Sequence, residues 1–284
     1  MKQQFRGIAA ERLLRRIRSG LVLCTAMLVA NWCQAQFAAA VTPPRFELTA
    51  KPGQVLRNVL DVTHTVRQAV RYRVYTTDWE LGPDGALTFL NSLQPSSCRP
   101  WVALERHEIS FSGASRQRFR FEVTVPEDAP AQECRFAVMI ESNPQDIQAG
   151  ASAAIPMSAR IAVIVYARVG DVGPLAKLTA TSVKKVEGFP TPAIWIENIG
   201  ASTARVSGIL EGVDGDGRKL EFTPEDVPIL PGRKREVGLI LRQPAVPSGM
   251  SSSEGPRPRW PIRVMGRLEY GTEATQKIEV DHIY

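Results

Sequence analysis

AAIPMSARIAVIVY, Ala153 to Tyr166, is too short and too rich in Ile and Val to favour a helix. Ala153, Ile155, Met157, Ala159, Ile161, Val163 and Val165 fall on one face at the two-residue period of a strand. The stretch reads as one long β-strand. Arg160 stands on the opposite face, and Pro156, which lacks a backbone donor, confines its part of the strand to a sheet edge. Two roles fit such a strand. It is the last core strand of a β-sandwich with Arg160 solvated, or it is an apolar edge beside a cation that offers itself to another chain. Periodicity alone favours the first.

Working outward, the chain on both sides keeps the same style of short alternating apolar runs. Upstream, strands are expected at Arg45–Thr49, Val55–Thr63, Arg71–Glu80, Trp101–Leu104, Gln117–Val125 and Phe136–Glu141, with the long strand Ala153–Ala167 closing the set. Pro52-Gly53, Pro83-Asp84-Gly85 and Pro126-Glu127-Asp128-Ala129-Pro130 supply turns between them. About seven strands at this spacing is the pattern of an immunoglobulin-like sandwich. Downstream, strands are expected at Leu178–Val186, Ala193–Glu197, Arg205–Val213, Lys219–Thr223, Lys234–Leu241, Ile262–Tyr270 and Gln276–Asp281. Asp214-Gly215-Asp216-Gly217 reads as a hairpin turn and Pro231-Gly232 as another turn. No amphipathic helix is expected in either half. The fold class is therefore all-β, two immunoglobulin-like β-sandwich domains spanning 41–170 and 171–284, divided near Gly170-Asp171-Val172-Gly173-Pro174. Gln243 to Pro261, QPAVPSGMSSSEGPRPRWP, is too rich in Pro, Gly and Ser to pack as a strand and reads as a flexible insertion. Arg257, Arg259 and Trp260 are the groups it would present to a partner.

The first forty residues read as a signal peptide rather than as part of the fold. Lys2, Arg6, Arg12, Arg15, Arg16 and Arg18 form its basic region, Leu21 to Val29 its apolar region, and Cys33-Gln34-Ala35 or Ala38-Ala39-Ala40 its cleavage site. The apolar run is shorter than the ~20 residues of a spanning helix. Leu23 before Cys24 and Trp32 before Cys33 are too large for a lipoprotein signal. Export to the periplasm is the expectation. The whole chain has 35 Lys and Arg against 29 Asp and Glu, and residues 1–35 hold six of the bases and one acid, leaving 29 against 28. The basicity belongs to the leader, so no nucleic-acid surface is expected.

Cleavage after Ala35 leaves two cysteines, Cys98 and Cys134, which an oxidising compartment would join. Two buried free thiols are the alternative. Two cysteines with His64, His107 and His282 show no ligand spacing, so neither a metal nor another cofactor is expected. An enzyme is not expected either: G-x-S-x-G, H-E-x-x-H and a phosphate-binding glycine loop are all missing from the sequence. Asp78 beside an expected core Trp79, and Asp84 in a turn, read as structural acids.

Four stretches carry a family resemblance: PPRFELTAKPGQ (Pro43–Gln54), VRYRVYTTDWELGPDGALTF (Val70–Phe89), the run Ile109–Ile140 containing FEVTVPEDAPAQECRFAVMI, and SARIAVIVYARVG (Ser158–Gly170). In these the chain resembles the PapD-like periplasmic chaperones of the chaperone–usher pathway, which assemble pili and related surface fibres. The resemblance implies two immunoglobulin-like domains set at an angle and a chaperone that lends a strand to a fibre subunit, the recognition mode of β-strand addition. It implies a donor strand at Ala153, Ile155 and Met157, shallower than the bulky alternation usual in the family and interrupted by Pro156. That departure fits other surface fibres as well as ordinary pilins. It further implies that Arg160, on the last strand, and Arg45, on the first, anchor the subunit's C-terminal carboxylate by charge-assisted bonds. The implied partners are fibre subunits and an outer-membrane usher, with a self-capping homodimer through the same strand as a further state. The alternative is an exported two-domain surface or adhesive protein without chaperone activity.

Overall fold

The computed structural model describes residues 39–82, 85–143, 145–148, 154–242, 258–271 and 276–284. Residues 1–38 of the leader, Asp84, Ala153 and Arg257 lie outside the described residues. The first half holds β1 (Ala39–Thr42), β2 (Arg45–Ala50), β3 (Val55–His64), β4 (Val70–Leu81), β5 (Leu87–Leu90), β6 (Val102–Leu104), β7 (Glu108–Phe111), β8 (Ser115–Thr124), β9 (Glu133–Ser142), β10 (Gln145–Gln148), β11 (Ala154–Met157) and β12 (Arg160–Val169), with a 3-10 turn at Arg99–Trp101. One sheet runs β1-β3-β8-β6; the facing sheet runs β2-β12-β9-β4-β5, with β7 also on β4.

Two-residue alternation builds the core between these sheets. On β8, Phe119, Phe121 and Val123 point inward while Arg116, Arg118 and Arg120 face solvent. They meet Phe136, Val138 and Ile140 of β9 and Val163, Val165 and Val169 of β12. Phe121 sits edge-on to Phe46 at 5.2 Å and to Phe136 at 6.3 Å between centroids. Each such side chain contributes roughly 1.5–3 kcal/mol by leaving water. Cys98 and Cys134 are joined in a disulfide inside this core, with Cα atoms 5.6 Å apart.

The second half holds β13 (Ala176–Val186), β14 (Phe189–Asn198), β15 (Leu210–Val213), β16 (Lys219–Pro224), β17 (Arg233–Leu241), β18 (Arg263–Tyr270) and β19 (Gln276–Ile283), hydrogen-bonded in the order β13-β14-β17-β16-β15-β18-β19. β17 passes from one face of the sandwich to the other: Arg233–Gly238 pair with β14, and Leu239–Leu241 with β16. Ile194, Ile196, Phe222, Val237, Val264 and Leu268 fill the space between. The fold is two immunoglobulin-like sandwiches, all β.

Several expected elements differ in detail. The long strand Ala153–Ala167 is broken: Arg160 pairs with Glu141 on β9, whereas Met157 pairs with Gln145 on β10. Arg160 lies three positions after Met157 and Gln145 four positions after Glu141, so the β10–β11 ribbon continues the β9–β12 pair one residue out of register. The extra residue on the facing β9–β10 segment breaks the ladder, as in a bulge. Trp101 belongs to the 3-10 turn. Of Arg205–Val213 only Leu210–Val213 is strand, because the chain turns at Gly208, whose φ is +132°. Ala39 and Ala40, read as part of the leader, pair with Thr63 and His64 through β1; cleavage after Ala35 leaves that strand whole.

The expected hairpin forms between β15 and β16. Asp214 organises it by accepting the backbone N–H of Asp216 at 3.0 Å and of Arg218 at 2.9 Å. Arg259, read as a group for a partner, is ion-paired with Asp216 at 3.1 Å. Asp78 is structural: its carboxylate accepts the Gln94 N–H at 2.8 Å and the Ser97 hydroxyl at 2.6 Å.

Candidate functional site

Within β12 the odd-numbered residues Val163, Val165 and Val169 enter the first core, so the even-numbered Arg160, Ala162, Ile164 and Tyr166 stand on the outer face of the sheet. β2 pairs with β12 only from Ile164 onward, in parallel with Arg45 opposite Ile164. Arg160–Val163 therefore have β9 on one side and, among the described strands, no hydrogen-bonded partner on the other. A sheet edge of this kind carries backbone groups that can receive another strand.

Register places side chains in rows across the outer face. Ala162, Met139 and Tyr75 form one row, and Arg160, Glu141 and Arg73 the next. A groove of about 400 Å³ opens beside these rows, lined by Tyr75, Thr77, Phe89, Asn91, Met139 and Arg160 among others. Its lining mixes Tyr75, Phe89, Leu87 and Met139 with Thr77, Thr88 and Asn91, and the Arg160 cation stands among them. Arg73 donates to Glu141 at 2.6 Å and stacks its guanidinium 4.6 Å from the centre of the Tyr75 ring. The Arg73 hydrogen bond holds the Glu141 carboxyl below the usual carboxylate range, against the effect of burial and with help from Tyr75 and the Arg160 charge. Among the described residues no carboxylate lies within ion-pair distance of Arg160.

Arg45 shares this outer face but is not brought to Arg160. It stands four residues further along β12, about 13 Å by strand rise. There it pairs with Glu47 at 3.0 Å and with Asp226 of the second sandwich at 3.1 Å. Arg205 joins the same group, 2.8 Å from Asp226 and 3.3 Å from Glu47. Burial pushes the Asp226 carboxyl up, but the hydrogen bonds and charges of Arg45 and Arg205 outweigh it and hold the carboxyl low. Glu133, beside Cys134, accepts the Thr203 N–H at 2.7 Å and its hydroxyl at 2.6 Å. Trp79 is buried, but at this junction rather than in the first core, in a cluster with Tyr166, Met139 and Leu230. These contacts couple the β12 face to the second sandwich. Of the donor residues, Ile155 and Met157 lie on β11, paired with Ile147 and Gln145.

The Asp226 cluster carries a pH dependence of definite sign. A carboxyl depressed by folding contributes stability that is present above its unfolded value, about 3.9, and is lost as pH falls through the lower folded value. The junction should loosen below about pH 4, and Asp226→Asn should reproduce that state at pH 7. Distances between fluorophores placed in the two sandwiches measure it; an unchanged distance in Asp226→Asn contradicts the assignment.

A two-sandwich all-β protein with a one-sided strand beside a cation and a groove of mixed lining is the class that fold and site define. No family model and no curated relative matches the chain. Among solved structures it is similar to the class 5 fimbriae chaperone CfaA, at 12% identity over 75% of this chain and 95% of that one, TM-score 0.40. It is also similar to the YadV chaperone (9% identity, 87% and 99% covered, TM-score 0.42) and the E. coli chaperone DraB (12%, 87% and 98%, TM-score 0.42). Likeness at this level leaves the function to the residues themselves.

Proposed function

We propose that this protein is an exported, periplasmic chaperone of surface-fibre subunits, which lends them a strand, holds their C-terminal carboxylate and delivers them to an outer-membrane usher. The observation that carries the reading is Arg160–Val163: backbone not paired with a strand on one side, with Arg160 exposed and lining a groove of mixed polar and aromatic side chains. A subunit strand would add along that edge and along the Ala154–Met157 ribbon beyond it, so that backbone hydrogen bonds supply affinity and alternate side chains specificity. Arg160 is the carboxylate anchor; Arg45, the companion implied by the family resemblance, would have to exchange its Glu47 and Asp226 ion pairs to join it.

Losing a desolvated, charge-assisted contact costs on the order of 2–5 kcal/mol. Arg160→Ala should therefore reduce subunit capture sharply while the melting temperature stays near wild type, since an exposed cation contributes little to the fold. Co-purification of fibre subunits from the periplasm is the measurement. A wild-type yield of subunit with the Arg45→Ala/Arg160→Ala double variant would rule out the anchor and leave a passive two-domain binding protein.

A further inference from the structure

We infer that the outer face of the β1-β3-β8-β6 sheet docks the first sandwich onto a membrane surface of phosphate-bearing lipids, through a stripe of arginines that the chaperone reading leaves unused. Strand alternation puts Arg116, Arg118 and Arg120 of β8 on that face, with Arg57, Val59 and Asp61 of β3. Register sets Asp61 opposite Arg118, Val59 opposite Arg120, and Arg57 opposite Glu122. Four successive rows therefore each carry an arginine, in a line about 20 Å long at two strand rises per row. Arg106 stands at the margin, and five guanidiniums face three carboxylates. Asp61 is shared by Arg116 and Arg118, Glu105 by Arg106 and Arg120, and Glu122 serves Arg57.

Height as well as number makes this face cationic. The side chains of Arg57, Arg116, Arg118 and Arg120 are 63–81% exposed, whereas Asp61, Glu105 and Glu122 beneath them are 20–36% exposed. The ion pairs between β18 and β19 are built the other way, with Asp281 and Glu279 more exposed than Arg263 and Arg267. Arg118 and Arg120 stand 4.0 and 3.8 Å from their carboxylates, outside hydrogen-bond distance. Their planar forks stay open to the paired oxygens of a phosphate. Val55 and Val59, both exposed, share the face and leave water when it meets the boundary between headgroups and acyl chains. These rows hold no aromatic side chain on which bases could stack, which argues against a single-stranded nucleic acid. A leaflet is flat and laterally fluid, so it can bring a headgroup to every row without the fixed complement that a protein surface would need. Each basic side chain near an anionic leaflet strengthens attachment about fivefold, and less where a carboxylate remains beside it.

Flotation of the full mature chain with vesicles tests this, with phosphatidylglycerol mixed equally with phosphatidylcholine against phosphatidylcholine alone. The wild type should float with the phosphatidylglycerol vesicles at low salt, stay behind with phosphatidylcholine, and be released as salt rises. Arg118→Gln/Arg120→Gln should weaken attachment roughly tenfold or more. Arg263→Gln/Arg267→Gln removes the same charge from the second sandwich and should leave attachment near wild type. All four side chains are solvated, so both double variants should melt near the wild-type temperature. Glu122→Gln frees Arg57 and should tighten attachment about fivefold, a gain that a merely structural ion pair does not produce. A wild type that shows no preference for phosphatidylglycerol, or equal losses in the two double variants, overturns the proposal. Binding to oligoglutamate that disappears in Arg118→Gln/Arg120→Gln, without any binding to vesicles, overturns lipid as the occupant and assigns the stripe to an acidic protein.

Discussion

Asn198→Ala is expected to destabilise the second sandwich by roughly 3–5 kcal/mol, among the largest effects of a single substitution in this chain. Asn198 is fully buried at the end of β14. Its side-chain oxygen accepts the backbone N–H of Leu175 at 3.2 Å and of Gly200 at 3.0 Å. Its amide donates to the carbonyls of Ser202 and Ile229, both at 2.8 Å. Alanine leaves all four groups without that partner, and each buried unsatisfied group costs about 1–3 kcal/mol, partly recovered by relaxation. The damage reaches the junction, because Leu175 belongs to the segment between β12 and β13. That segment lies so close to Gly200 that a Cβ there would collide with the Leu175 nitrogen and stand 2.6 Å from the Gly173 oxygen. Asn198→Asp keeps the two acceptor bonds but sets a buried carboxylate oxygen against the Ser202 and Ile229 carbonyls, so it should cost at least as much as Asn198→Ala. Thermal or urea unfolding measures the series; a loss below about 1 kcal/mol for alanine would show that the hub is dispensable.

Removing the disulfide is expected to cost about 3–4 kcal/mol on the chain-entropy model, since the bridge closes a loop of sequence separation 36. Both cysteines are buried, so the double variant Cys98→Ala/Cys134→Ala also loses packing in the first core. Cys134 adjoins Glu133, whose carboxylate grips Thr203 across the junction. The variant should therefore melt earlier and loosen the two sandwiches, while the Arg73–Glu141–Arg160 row, on the far part of β9, keeps its geometry. Subunit capture then falls less than stability does. Two free thiols in the denatured, unreduced protein, or an unchanged melting temperature in the variant, would contradict this.

The sheets were largely legible because alternation is a local signal. Expected strands at Arg45, Val55, Arg71, Gln117 and Phe136 coincide with β2, β3, β4, β8 and β9 to within a few residues. The four-residue strands β1, β5, β7 and β10 escaped notice, since so short a run barely exceeds chance alternation. Glu108–Phe111 did carry a signal: Ile109 and Phe111 are buried and Glu108 and Ser110 exposed, an alternation visible in HEISF. The break in the Ala153–Ala167 strand left no mark at Ser158 or Ala159, because the extra residue that causes it lies in the facing segment between Glu141 and Gln145.

By itself the sequence determined an all-β chain of two sandwiches, the inward faces of the longer strands and the presence of Arg160 on the face opposite the core, and it left Cys98 and Cys134 between a disulfide and two buried thiols, a choice the structure makes for the disulfide. Periodicity, turn residues and composition are properties of short segments, so they can be read without a partner. Only the tertiary structure decided which residues share a row with Arg160. Arg73 arrives there through β4 and β9, and Arg45 is drawn away by Asp226, 181 positions distant in the chain. Trp79 likewise is buried against Leu230 of the other sandwich rather than in its own core. Register between distant strands depends on how whole faces pack together, and a shift of one residue exchanges every side chain from one face to the other. No local pattern encodes that choice, which is why the cations were visible in the sequence and their neighbours were not.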